Sequence, residues 1–408
     1  MATVGIDNLN IYASSLAVES SHIAEYRNIS SKLMDDIGFK QRSIIPPFED
    51  PVTLAVNAAK PLIDETDPAD YGLLIVGTES GCDYGKPIST YIHKYLGLHP
   101  HCRNFEIKHA CYSGTAALQM AAAWLRSGTN LNKKALVITT DVARPHFNDP
   151  AELTAGSGAV AMVLNHNPAV LMLDSTSGYA TSEVYDVARP TVHFEWGDPV
   201  LSLYSFIDLL EAAYLHYCKN NQVNISCEKL FDYMLYHVPL LSLVKQSHKT
   251  LLELSNDQLN DAEFIASFNK MVLPALQHNF NLGNIYSGSV YVALAGLIDN
   301  PANKISTAKI GLFSYGSGAC AEFFSGRLTE KAQEIIAKRN FKRILAERKV
   351  LNFNEYEEIV TDYNKTLSIK EYKPDLQILN NFYKDYYQDR KKLVLDKVAN
   401  YYRTYRWS

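Results

Sequence analysis

Along the first half of the chain, apolar runs of strand length alternate with a longer helical pattern. "YGLLIVGT" (71–78) and "KALVITTD" (134–141) have apolar residues on both faces and read as buried strands. Between them, the stretch after Cys111 reads as a helix. Ala116, Ala117, Leu118, Met120, Ala121, Ala122, Ala123 and Leu125 leave it almost no polar face, which predicts burial on every side. This alternation predicts a layered α/β sheet. "LFDYMLYHVPL" (230–240) reads as another strand, ending at His237 because Pro239 cannot continue a central strand.

Two patterns occur twice, in the same order. "CYSGTAALQMA" from Cys111 is echoed by "IYSGSVYVALAG" from Ile285, and "GSGAVAMVL" from Gly156 by "GSGACAEFF" from Gly316. Ordered repetition of this kind indicates an internal duplication. The small residues of the two helices, Gly114 in one and Gly288 and Gly296 in the other, predict that the helices pack together. The expected architecture is two sheets enclosing a central helical layer, related by a pseudo-two-fold axis. From about Leu328 the chain becomes amphipathic, charged and tyrosine-rich, and is expected to form surface helices and loops that complete the second half.

Composition narrows the function. Of 408 residues, 47% are hydrophobic and 20% charged, as in an ordinary globular protein. Thirty-nine Lys and Arg against 44 Asp and Glu give a net charge of -5, so no overall basic field invites nucleic acid. No apolar run approaches the roughly 18–20 residues that span a bilayer, and the first residues lack the basic start of a signal peptide. A cytoplasmic protein away from membranes is the expectation. The six cysteines form no C-x-x-C pair and no His/Cys set with zinc spacing, so no metal site is expected.

Three residues can carry chemistry. Cys111 opens a helix, where unpaired N–H groups and the helix dipole lower a thiol pKa and can hold an oxyanion. A buried structural thiol is the alternative; Ile285 at the repeated position shows that the fold itself needs no sulfur there. Glu79 follows a buried strand, at the end where α/β sheets place their sites, and is a candidate general base or a plain loop carboxylate. His237 sits at a strand-to-loop junction, either capping backbone or serving the same site.

"GTES" (77–80), "HACYSGT" (109–115), "YHVP" (236–239), "GNIYSGSVY" (283–291) and "GLFSYGSGA" (311–319) stand in the order and approximate spacing of 3-hydroxy-3-methylglutaryl-CoA (HMG-CoA) synthases. The chain resembles that family over essentially its whole length. The resemblance implies a thiolase-like α/β fold, a duplicated five-layered αβαβα architecture. It would have an N-terminal half (1–166) carrying Glu79 and Cys111, and a C-terminal half (167–408) carrying His237, Asn284 and a helical tail. It makes Cys111 the acetyl-accepting nucleophile, Glu79 the general base and acid, and His237 the group that polarises the acceptor carbonyl. Asn284 would lie near the acceptor, the N–H groups of Cys111 and Ser317 would form an oxyanion hole, and Tyr286 and Thr154 would complete the substrate-binding set.

"EDPVTLAVNAAKPLID", "ESGCDYGKPISTYI" and "ACYSGTAALQMA" resemble the polyketide β-branching members of the family. That branch implies a donor acyl carrier protein bearing acetyl and an acceptor carrier protein bearing a β-ketoacyl chain. Each substrate would ride on phosphopantetheine (or CoA), with no cofactor bound by the enzyme and a homodimeric state. Two departures from the primary-metabolism enzymes agree. Ser242 stands where they usually carry a lysine, although Lys245 lies one turn on, and Pro145 stands where they commonly carry tyrosine. The competing readings are an isoprenoid-pathway enzyme using acetyl-CoA and acetoacetyl-CoA, a ketoacyl synthase or thiolase relative, and an inactive scaffold that binds carrier proteins.

Overall fold

A computed structural model of the chain describes residues 3–129, 132–144, 146–254 and 259–408. The first half contributes β1 (Val4–Ala13), α1 (Pro51–Ile63), β2 (Tyr71–Gly77), β3 (Arg103–Ile107), α2 (Ser113–Arg126), β4 (Lys134–Asp141) and β5 (Gly158–His166). The chain continues with β6 (Leu171–Leu173), β7 (Gly178–Thr181), β8 (Val187–Thr191), β9 (Phe194–Gly197), α3 (Pro199–Asn220), β10 (Tyr233–Tyr236) and α4 (Leu241–Glu253). Then come α5 (Ser289–Asp299), β11 (Lys309–Gly316), β12 (Cys320–Leu328), and a tail with β13 (Glu371–Tyr372), β14 (Leu393–Ala399) and β15 (Tyr402–Trp407).

The duplication is visible in the pairing. In the first half β2 runs parallel to β4, and β4 antiparallel to β5. In the second, β10 runs parallel to β11, and β11 antiparallel to β12. The two half-sheets are not separate, as the repeats suggested. β6 pairs with β1 through Val4–Ile6 and with β12 through Gly326–Leu328, so the strands form one 10-stranded ladder in the order β10-β11-β12-β6-β1-β5-β4-β2-β3, with β7 beside β12.

Strand alternation sorts the core into layers. Leu73, Ile75, Ala135 and Val137 face one cluster together with α2, α5, Ile310 and Leu312. Leu74, Val76, Leu136 and Ile138 face the opposite way, onto α1, while Phe313 and Phe323 face α3. Each of these strands therefore buries both faces, at about 1.5–3 kcal/mol per large apolar side chain. The result is helix, sheet, helices, sheet, helix: the five-layered, thiolase-like arrangement expected.

Two expectations about helices need correcting. α5 is buried all round, but α2 is not: Met120 is 55% exposed and Ala123 is also at the surface. The helices do meet, through the Thr115 and Tyr291 hydroxyls at 2.9 Å, and Gly114 lies where a Cβ would come 2.5 Å from the Ser287 carbonyl. Gly296 instead faces the Ala275 carbonyl. The tail also departs from expectation. β14 and β15 lie against the first half, with Leu393, Leu395 and Tyr405 in the cluster that covers α1. The cause is α1 itself, which is buried on nearly all sides and needs an outer cover. The Asn57 side chain bonds both Leu393 N (2.7 Å) and Leu393 O (3.1 Å), and Arg403 pairs with Asp50 at 3.1 Å. The tail tyrosines 387 and 405 are buried within the chain.

Candidate active site

The site forms where the ends of β2, β4 and β10 meet the heads of α2 and α5. At Gly77, which ends β2, a Cβ would approach the Ser113 carbonyl to 2.6 Å, so only glycine lets the strand end abut the helix. That approach brings Glu79 and Cys111 together: Cys111 Sγ lies 3.8 Å from Glu79 Oε2. Ala110, immediately before the cysteine, has φ +40°, a conformation that strains a residue with a side chain and helps present the thiol.

The thiol does not follow the helix-tip expectation. Burial pushes its pKa well above the usual range, and Glu79, Asp141 and Glu195 add to the rise against Arg189. Sparse solvent and three carboxylates outweigh the dipole at a residue just outside the helix, so the resting group is a neutral thiol. The Glu79 carboxyl is pushed up to about 8: burial dominates, Arg189 opposes it, and Asp141 and Glu195 reinforce it. Its side chain still keeps 17% of its surface open. A carboxyl poised near neutrality, partly open and in contact with a thiol, is suited to moving protons both ways.

Asp141, at the end of β4, organises this corner. One oxygen accepts from Glu79 N (2.9 Å), Thr78 Oγ1 (3.0 Å) and Ser80 Oγ (3.0 Å). The other accepts from Ser287 N (3.2 Å) and, more tightly, from the Ser287 hydroxyl. Asp141 thus ties the loop after β2 to the head of α5. Arg189 on β8 meets Glu79 Oε1 at 3.2 Å and also pairs with Glu195 on β9.

The remaining predicted residues line the same junction without all touching. His237 follows β10 directly; its Nδ1 lies 2.5 Å from the hydroxyl of Ser289, the first residue of α5, which also accepts from Val238 N. Burial lowers its pKa to about 3, so the ring is neutral. Phe206 on α3 links it to Tyr315, with ring centroids 6.2 Å from His237 and 4.8 Å from Tyr315. Asn284 is buried; its Oδ1 accepts from Tyr286 N (2.9 Å), and its own N donates to Thr154 O (2.8 Å). Thr154 meets this set through its backbone, because its hydroxyl bonds Ala151 O. The Tyr286 ring lies under the Arg189 guanidinium, 5.9 Å from centroid to Cζ. Ser317 follows Gly316, where a Cβ would come 2.5 Å from Tyr112 N, so its turn presses on the Cys111 segment. No hydrogen bond or ion pair joins His237 directly to Cys111 among the described residues, and Pro145 lies outside them. Nor do the described residues include any group of three or more His, Cys, Asp or Glu able to hold a metal ion.

Sequence reasoning missed Asp141, Arg189, Glu195, Ser287 and Ser289. An acid ending the otherwise apolar "KALVITTD" was a usable signal, as were serines inside the second Tyr-Ser-Gly copy. Arg189 and Glu195 belong to a short hairpin of mixed apolar and polar residues whose periodicity says nothing about what it faces.

Comparison with known proteins agrees over both halves. Residues 1–169 match the family model described as hydroxymethylglutaryl-coenzyme A synthase N terminal, and residues 255–406 match the C-terminal one. PksG of Bacillus subtilis (strain 168), a polyketide biosynthesis 3-hydroxy-3-methylglutaryl-ACP synthase, is 36% identical over 423 residues covering 100% of each chain. The hydroxymethylglutaryl-CoA synthase of Enterococcus faecalis is 32% identical over 393 residues, 94% of this chain and 99% of that one. Among solved structures, the curacin biosynthetic pathway HMG synthase in complex with holo donor-ACP matches with TM-score 0.94 and 37% identity over 100% of each chain. MvaS in complex with 3-hydroxy-3-methylglutaryl coenzyme A matches with TM-score 0.89 and 30% identity, again over 100% of each. No helix among the described residues is long and apolar enough to cross a membrane. With both family models matched and identity above 30% end to end, the chain belongs to the hydroxymethylglutaryl-CoA synthase family.

Proposed function

We propose that this chain is a polyketide β-branching synthase that joins an acetyl unit from a donor acyl carrier protein to the β-ketone of a carrier-bound chain. The observation that carries this is the Cys111–Glu79 contact at 3.8 Å, at the junction of two halves similar throughout to PksG and to the curacin synthase. Cys111 Sγ attacks the acetyl thioester; the phosphopantetheine thiolate leaves and takes up the sulfur's proton. The N–H groups of Cys111 and Ser317 hold the oxyanion. Glu79, as carboxylate, removes a proton from the acetyl methyl, which the thioester acidifies. The carbanion forms a bond to the acceptor's ketone carbon, and as the π bond opens the ketone oxygen takes the proton that Glu79 removed from the methyl, which returns Glu79 to its carboxylate form. His237, neutral and fixed by Ser289, donates a hydrogen bond to that oxygen from its other ring nitrogen, with Asn284, Tyr286 and Thr154 shaping the acceptor side. Water then cleaves the acyl–Cys111 bond, leaving a carboxymethyl branch. The working units are the halves 1–166 and 167–408, in a homodimer.

The test is intact-protein mass spectrometry of wild type and Cys111→Ala after brief exposure to acetyl-loaded carrier protein or to acetyl-CoA. Rapid Cys111-dependent addition of acetyl from the carrier protein, with slow transfer from CoA, is the expected result. Efficient transfer from CoA alone assigns the chain to isoprenoid-type synthesis.

A further inference from the structure

Arg189 and Glu195 sit on opposite strands of a hairpin, β8–β9, that pairs with no other sheet among the described residues and brings one charge of each sign near Glu79. Arg189 Nη2 meets Glu79 Oε1 at 3.2 Å, and Nη1 reaches the Glu79 carbonyl at 3.3 Å. Its Nε bonds Glu195 Oε2 at 3.1 Å, with a second, shorter contact from Nη2. The Tyr286 ring supports the guanidinium from the side of α5. One Glu79 oxygen is therefore anchored, while the other, Oε2, points to the sulfur that would carry the acetyl group.

We propose that Arg189 is a positioning residue for Glu79, and that Glu195 sets how much of the guanidinium's charge Glu79 receives. The inference rests on the reading of Glu79 as the base. A carboxylate without the anchor would turn about its last torsion and lose its aim at the methyl carbon. The charged and titratable groups facing Glu79 come from every neighbouring element: Asp141 and Arg144 from the end of β4, Glu195 and Arg189 from the hairpin, Cys111 before α2 and Tyr286 before α5. Within this set the two hairpin charges act in opposite directions, which gives the proposal a signature that a purely structural role lacks.

The experiment is deuterium wash-in to acetyl-Cys111 in D2O, followed by intact mass across pH. It reads proton removal by Glu79 without any acceptor. Arg189→Gln should acetylate within ten-fold of wild type, exchange about 100-fold more slowly, and move the acidic limb up by about one pH unit. Arg189→Lys should recover part of the rate. Glu195→Gln should move the limb down, because Glu79 then holds the guanidinium undivided. Limbs that stay at the wild-type position, or move the same way in Arg189→Gln and Glu195→Gln, overturn the proposal. Loss of acetylation and exchange in equal measure, without recovery in Arg189→Lys, does so too. Absence of any acetyl-Cys111 in wild type would instead overturn the reading of the whole site, and this proposal with it.

Discussion

Replacing Gly316 by alanine tests how closely the two halves must approach. A Cβ there would stand 2.5 Å from Tyr112 N, 2.6 Å from His109 O and 2.6 Å from Tyr112 Cβ. The first two are backbone atoms, which cannot rotate aside. Ordinary contact needs about 3.5 Å, so the turn carrying Ser317 has to retreat from the Cys111 segment by roughly 1 Å. Overpacking of this kind costs about 1–3 kcal/mol, which lowers Tm by only a few degrees in a chain of this size. The kinetic effect is larger, because a 1 Å misplacement of a catalytic group reduces rate by about 100-fold. In Gly316→Ala, acetylation of Cys111 from acetyl-loaded carrier protein should therefore fall about 100-fold. Alkylation of Cys111 by iodoacetamide, which needs no oxyanion pocket, should stay within a few-fold of wild type. Stopped-flow quench with mass detection measures the first, and labelling kinetics the second. Near-normal acetylation in a variant that folds would refute the claim that the Ser317 turn borders the thioester.

Ser289→Ala removes the hydroxyl beside His237 Nδ1 and should slow condensation by about 10- to 100-fold while sparing Cys111 acetylation; equal loss in both steps would count against it. Because burial holds the His237 pKa near 3, no limb between pH 5 and 9 should depend on this ring, and a limb near 6.5 that vanishes in His237→Asn would contradict the neutral assignment. Glu79, raised from 4.5 to about 8, contributes stability that is complete below its unfolded pKa and is lost as pH rises through the folded one. Glu79→Gln should therefore melt higher than wild type at pH 8, by about 1–3 °C, with the gain shrinking toward pH 5; a gain independent of pH would show that the carboxyl is not protonated at rest. Asn57→Ala leaves the Leu393 N–H and C=O without their buried partner and should cost about 1–3 kcal/mol, read as a lower Tm and earlier proteolytic release of β14–β15.

The strands were legible because each buries both faces: Leu73 to Val76 and Ala135 to Ile138 carry no polar residue, whichever way they point. The second Tyr-Ser-Gly copy exposed the duplication, and with it the meeting of α2 and α5. What stayed hidden depends on contacts between distant segments. The protonation of Cys111 is set first by its burial and then by the acids at positions 79, 141 and 195, and a local reading of the helix tip predicted the opposite sign. The bridging role of β6 is invisible in three residues, and so is the destination of the tail, which is decided by the apolar back of α1 that it covers rather than by any pattern within Leu393–Ala399. Met120 broke the all-round burial of α2 because small apolar residues suit a crowded flank and an open one equally.

The tail's attachment bears on how the molecule is made. Leu395 N bonds Phe48 O at 2.8 Å, and the Asp50 carboxylate that caps α1 also receives Arg403 and the Tyr405 hydroxyl. During translation, the first-half strands that place Glu79 and Cys111, which end at His166, leave the ribosome more than two hundred residues before the strands that close the outer face of α1. Until residues 393–407 arrive, the back of α1 stays wet and sticky, a surface for a chaperone to shield. The nucleophile's own half is therefore synthesised before the second half, yet sealed only after it.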